Sequence, residues 1–220
     1  MAIPSRQIGW GTEDNLLWQI SKQLEQLTNV TAKACTNCTT TTTTTTAPTY
    51  RVFTALLTQS GGDGFSEIFS GDLTIGVTYT IGQTTGGPDW TNVGAPNNNL
   101  GTSFVATGTT PNSWGTPGDS SLEYNTGAPV VTVLENTIGN IWFTYNNLGM
   151  YGVYSNSLYI QDKTYIVMGS NSGRAADGYC GFNTIIDTNE IIRIFTTYTN
   201  RDDFENDILT NTVLEIRVYN

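Results

Sequence analysis

Val213-Leu-Glu-Ile-Arg-Val-Tyr219 decides the fold class of this chain. Leu214, Ile216 and Val218 alternate with Glu215 and Arg217, and successive side chains on an extended backbone point to opposite faces. One face is therefore apolar and the other meets water, the signature of a half-buried strand. Glu190–Tyr198 is expected to pair with it as a terminal hairpin around the acidic Arg201–Asp207 loop. Further back, strands are expected at Tyr50–Thr58, at the end of Leu73–Ile81 and at Ser103–Thr107, then at Val130–Leu134, Asn140–Tyr145, Gly149–Tyr154 and Thr164–Met168. Gly61-Gly-Asp-Gly64, the stretch from Gly86 to Asn99 and Gly108-Thr-Thr-Pro111 read as turns and loops. Many short strands joined by Gly, Pro and Asn turns imply a mainly β body over 50–220, a β-sandwich or a jelly-roll-like form.

Composition supports the same class. Of 220 residues only 13% are charged, while aromatics make up 11% and Gly, Thr and Asn are abundant. A chain with that much aromatic area and that little charge is not built to stay solvated and disordered. The formal net charge of −10, with nine Lys and Arg in all, argues against nucleic acid and against anionic membrane surfaces as partners. Met1-Ala-Ile-Pro-Ser-Arg-Gln has no basic segment leading into an apolar run, and nowhere do 18 apolar residues run together. The expectation is a protein made in a cytoplasm, with no membrane insertion.

The first 50 residues read differently. Trp10–Val30 is the one convincing helix, with Thr12 as N-cap and Glu13 and Asp14 in its first turn, where the dipole favours negative charge. Leu17, Ile20, Leu24 and Leu27 are spaced three, four and three, the rhythm of a coiled-coil seam. About five turns are marginal for an isolated helix, so partners are required: copies of the chain, its own body or a platform protein. Leu at both a positions with Ile and Leu at d leans toward three or four strands. Ala34-Cys-Thr-Asn-Cys38 then leads into the unbroken run Thr39–Thr46 and Pro48. Consecutive β-branched residues resist helix and cannot build a core, so an extended connector is expected, reaching at most roughly 28 Å. The chain thus divides into an anchor and oligomerisation helix over 1–34, a Cys/Thr-rich linker over 35–49 and the β body over 50–220.

Chemistry-bearing patterns are few. The chain has no histidine, which removes the usual activator of Ser and Cys nucleophiles and the commonest metal ligand. Cys35 and Cys38 have the spacing of half a zinc or redox site, but Cys180 is the remaining cysteine, so three thiols cannot complete a four-ligand site within one chain. No specific role, disulfides formed after release into an oxidising medium, and a metal shared across a symmetry axis all remain open. Asp63, Asp89 and the Asp202–Asp207 segment lack the spacing of a calcium loop and read as solvated acidic turns. No local feature marks a pair of catalytic carboxylates. The reading is of no enzyme, no cofactor and no metal. Trp90, Trp114 and Trp142 are either core packing or a platform for host-surface glycans.

Two groups of segments carry a resemblance. Ala2-Ile-Pro-Ser-Arg-Gln-Ile-Gly-Trp-Gly11, with Asn15-Leu-Leu-Trp-Gln-Ile-Ser-Lys-Gln-Leu24, resembles the opening of virion proteins from tailed phages of Bacteroidota hosts, including crAss-like and marine flavobacterial phages. Gly76–Ile81, Asp89-Trp-Thr-Asn-Val-Gly-Ala95 and Phe104–Trp114 resemble a β module of phage fibre and appendage proteins, and Val133–Trp142 with Gly149-Met-Tyr151 has a similar cast. The resemblance implies a structural component of a virion, assembled in the host cytoplasm: a fibre-like or capsid-decoration protein, docked through its N-terminus on capsid, portal, neck or tail proteins. On that reading Ile3, Pro4, Ile8 and Trp10 anchor the chain to the particle, and Leu17, Ile20, Leu24 and Leu27 hold copies together as a homotrimer. Rival expectations are a receptor protein for host-surface glycans and an internal neck or tail connector.

Overall fold

The computed structural model describes residues 19–26, 49–169, 180–198 and 203–220. The chain divides into two units, 1–47 and 48–220, each taken by itself. In the first, residues 19–26 are helical, and Lys22 pairs with Glu25 at 3.1 Å on the exposed surface.

The second unit is mainly β, with thirteen strands among the described residues: β1 (Tyr50–Thr58), β2 (Phe65–Ile68), β3 (Thr78–Thr84), β4 (Ser103–Val105), β5 (Ser120–Asn125), β6 (Val130–Asn136), β7 (Ile141–Asn147), β8 (Met150–Ser155), β9 (Thr164–Gly169), β10 (Cys180–Ile186), β11 (Ile191–Tyr198), β12 (Asp203–Phe204) and β13 (Thr212–Tyr219). Every pairing is antiparallel. One four-stranded sheet runs β6-β1-β13-β9, and a second runs β10-β11-β8-β7, with β12 added to the end of β11. The inward residues of the first sheet are in register across strands: Phe53 opposite Ile216 opposite Ile166, and Ala55 opposite Leu214 opposite Met168. The second sheet answers with Phe143 opposite Val153 opposite Ile192, and Tyr151 opposite Ile194. These two faces share one core, in which Phe53 and Phe143 approach to 6.1 Å between ring centroids. Burying a side chain of this size contributes about 1.5–3 kcal/mol, so alternation along each strand is what commits the two faces to each other.

The third sheet, β2-β5-β3-β4, lies entirely within the connection from β1 to β6. Thr58 at the end of β1 pairs with Val130 at the start of β6, so everything between them is an insertion into a hairpin. It has its own core of Tyr79, Ile81, Phe104 and Leu122 beneath Trp90 and Val93. The opposite face of its sheet meets the main core: Val105 joins the large cluster, and the buried Thr78 hydroxyl accepts the Phe143 backbone N–H at 3.0 Å.

Two differences from the sequence reading stand out. β11 and β13 do not form a terminal hairpin; β11 lies in the second sheet beside β8 and β10, whereas β13 sits between β1 and β9. Alternation says which face of a strand is buried, not which strand is its neighbour, and these two strands bury their apolar faces against each other from opposite sheets. Strands β2, β5, β10 and β12 are not among the expected ones, and β12 falls inside the Arg201–Asp207 stretch read as a loop. Ser120 and Ser121 open β5 with consecutive buried positions, so no period of two is visible there.

Candidate functional site

Of the residues expected to bind copies together, Ile20 and Leu24 fall on the described helix and are 50% and 65% exposed. Four residues apart, they lie on one helix face. Leu17 and Leu27, the anchor residues Ile3, Pro4, Ile8 and Trp10, and both Cys35 and Cys38 lie outside the described residues. Cys180 opens β10 half-buried and with no disulfide among the described residues.

Of the acidic positions singled out in the sequence, Asp63, Asp89 and Asp207 are turn-builders, and Asp202 lies outside the described residues. The Asp63 carboxylate accepts the Asn125 amide at 2.7 Å, and the Asp207 carboxylate accepts the Gly61 backbone N–H at 2.9 Å. Asp89 is the most heavily bonded. Its Oδ1 accepts the Thr91 backbone N–H and hydroxyl at 3.0 and 2.7 Å and the Asn98 amide at 3.4 Å, while Oδ2 accepts the Asn112 amide at 3.0 Å. The Thr91 hydroxyl and the Asn112 amide hold this carboxyl well below the usual carboxylate range. Asn92 adds a second tie, accepting the Asn112 backbone N–H and donating to the Thr110 carbonyl. Thus Asp89–Ala95 and Phe104–Trp114, far apart in sequence, are knotted above the insertion's core. Gly94 closes the 3-10 turn Thr91–Val93 at φ 112°, where a Cβ would sit 2.6 Å from the Val105 carbonyl oxygen. Among the described residues no three acidic or thiol side chains are grouped to hold a metal, and no helix is long and apolar enough to cross a membrane.

The three tryptophans of the body have separate fates. Trp90 is fully buried; Trp114 packs edge-on against it at 5.9 Å and donates its indole N–H to the Gly71 carbonyl. Trp90 thus presents no ring to solvent, and Trp114 is half-buried against the insertion's core. Trp142 is different: it lies on the outer face of the second sheet, stacked on Tyr154 with centroids 5.9 Å apart and planes 21° from parallel. Tyr154 in turn lies across Gly152, where any Cβ would run into its ring. Trp142 also borders a cleft of about 270 Å³ between β7 and the insertion's loop from Pro96 to Ser103. Asn97, Leu100 and Thr102 form one wall; Asn140 and Asn156 join Trp142 on the other.

The walls are fixed from within. Asn97 Oδ1 accepts the Asn99 backbone N–H at 2.9 Å and the Thr102 hydroxyl at 2.7 Å, Asn98 Oδ1 accepts the Trp90 backbone N–H at 2.9 Å, and Gly101 donates to the Ile81 carbonyl at 2.8 Å. Across the cleft, the Asn140 amide donates to the Ser103 carbonyl at 2.8 Å, tying β7 to the insertion. Comparison of the chain with protein-family models, with curated proteins and with solved structures gives no match.

Proposed function

We propose that this chain is a non-enzymatic structural component of a bacteriophage virion, a fibre-like or decoration protein held at its N-terminus and projecting the β body. The observation that carries the reading is the exposure of Ile20 and Leu24, 50% and 65%, on one face of the helix at residues 19–26. Apolar side chains of that size gain about 1.5–3 kcal/mol each when a partner removes them from water, which favours self-association along a short coiled coil through Leu17, Ile20, Leu24 and Leu27. The Thr39–Thr46 run then serves as spacer, and the body as the exposed part. We read the two facing sheets, of four and five strands, as a sandwich in which the sequence neighbours β7 and β8, and β10 and β11, lie side by side in one sheet. The carboxylates of Asp63, Asp89 and Asp207 are spent on turns, which suits a scaffold rather than a reaction centre.

Sedimentation of the full chain tests the seam. Wild type is expected to run as an oligomer, a trimer on this reading, and Leu24→Asp as a monomer; identical masses refute it. Immunogold labelling of intact particles tests the location. Labelled particles support a projecting body, antibody access only after disruption points to an internal connector, and absence of the chain from purified particles removes the virion role.

A further inference from the structure

We infer that the cleft between Trp142 and the Pro96–Ser103 loop is a binding site for a neutral oligosaccharide. Sugars present two chemistries at once, a C–H face that packs on an aromatic ring and hydroxyl pairs that both donate and accept. The cleft offers both. Trp142 is half-exposed, and its plane is set by the stack on Tyr154, so little freedom is lost when a ring packs on it. Leu100, 68% exposed, adds an apolar rim across from it.

The polar groups are planar amides with capacity to spare. Both oxygen bonds of Asn97 go to its own loop, which leaves its NH₂ as a donor pair; Asn140 uses its NH₂ on Ser103 and keeps its oxygen as an acceptor. The exposed Asn156 side chain has no partner among the described residues and offers both. Vicinal hydroxyls are matched by such amides in the way bidentate partners are matched elsewhere. No charged side chain lines the cleft, and the chain as a whole carries −10, so neither sialylated nor uronate-rich polymers fit the site. The volume of about 270 Å³ suits one or two sugar rings of a longer chain rather than a large ligand. The loop wall is held by internal hydrogen bonds before any ligand arrives, which lowers the ordering cost of binding. Occupancy by an isolated saccharide does not depend on the virion role, so the two stand or fall separately.

The test uses the full-length protein on a printed array of neutral and acidic oligosaccharides, followed by fluorescence titration with the neutral oligosaccharides retained. Retention of neutral glycans is expected, with Trp142→Ala weakening the titrated affinity at least about tenfold. Asn156→Ala, at an exposed position that ties nothing together, should weaken it about threefold to tenfold with an unchanged melting temperature. Tyr165→Ala, on the outer face of the other sheet, should change nothing. If Trp142→Ala does not fold, Asn156→Ala decides alone. Silence on all neutral glycans, retention of acidic ones only, or affinity indifferent to Asn156→Ala would overturn the assignment.

Discussion

Removing the side chain of Asn206 should destabilise the body far more than removing the Tyr151 hydroxyl, although the two touch. Asn206 sits where three loops meet. Its Oδ1 accepts the Gly149 backbone N–H at 2.9 Å and lies 3.2 Å from the Tyr151 hydroxyl; its NH₂ donates to the Gly61 carbonyl at 3.0 Å and to the Tyr145 hydroxyl at 3.2 Å. Tyr151 is fully buried and donates chiefly to Gln59 Oε1 at 2.7 Å. In Tyr151→Phe no acceptor is orphaned, because Gln59 Oε1 keeps the Asp207 backbone N–H and Asn206 Oδ1 keeps Gly149. The expected cost is that of one net hydrogen bond, about 1 kcal/mol. In Asn206→Ala the buried Gly149 N–H loses its acceptor, at about 1–3 kcal/mol for a stranded buried donor, and the bonds to Gly61 and Tyr145 are lost besides. With about 0.5–1.5 kcal/mol for each of those two bonds, the sum is about 2–6 kcal/mol. Urea unfolding followed by tryptophan fluorescence measures both, with an unchanged slope as the sign that only stability moved. Equal costs for the two variants, or a cost below about 1 kcal/mol for Asn206→Ala, would refute the reasoning.

Other consequences are open to the same assay. Gly94→Ala forces a Cβ against the Val105 carbonyl at a φ of 112° and should cost about 1–3 kcal/mol, read as a fall in melting temperature. Asp89 has a folded pKa lowered from the ordinary 3.8 by the hydrogen bonds of Thr91 and Asn112, so its contribution is fully present above about pH 4 and is lost as pH falls through the folded value. Wild type should therefore lose stability on acidification below pH 4 more steeply than Asp89→Asn; parallel curves would count against the Asp89 knot. At the N-terminus, Leu24→Asp should abolish self-association without shifting the unfolding of the body.

How legible this was depended on the strand. Tyr50–Thr58 and Val213–Tyr219 bury alternate residues, and a period of two gives away both the strand and its inner face. β5 hides because Ser120, Ser121 and Leu122 are all buried, and serine carries little strand signal. The insertion was harder still. Its core rests on a few large rings, Trp90, Tyr79 and Phe104, under Asp and Asn side chains whose partners are distant in sequence, as Asp89 and Asn112 are at 23 residues, and no local pattern encodes such pairings. The same holds for the cleft. All three tryptophans look alike in the sequence; only the fold separates the buried Trp90 and the tethered Trp114 from Trp142 at the cleft's edge. The spacing of Ile20 and Leu24 marked a helix face directly, because three-and-four periodicity is local.

Because Thr58 and Val130 are already paired, the insertion hangs from the two-sheet frame at a single hairpin root. Such an attachment lets one module be traded for another without re-threading the frame, provided the newcomer fills the place of Val105 in the main core and meets the polar groups the frame turns toward it. The Phe143 N–H faces the Thr78 hydroxyl in the interior, so any exchanged module must bring an acceptor to that spot or leave a dry, unmet donor behind. It would also bring its own wall to stand opposite Trp142. Exchange at this root would therefore retune what the cleft accepts while the frame beneath stayed the same.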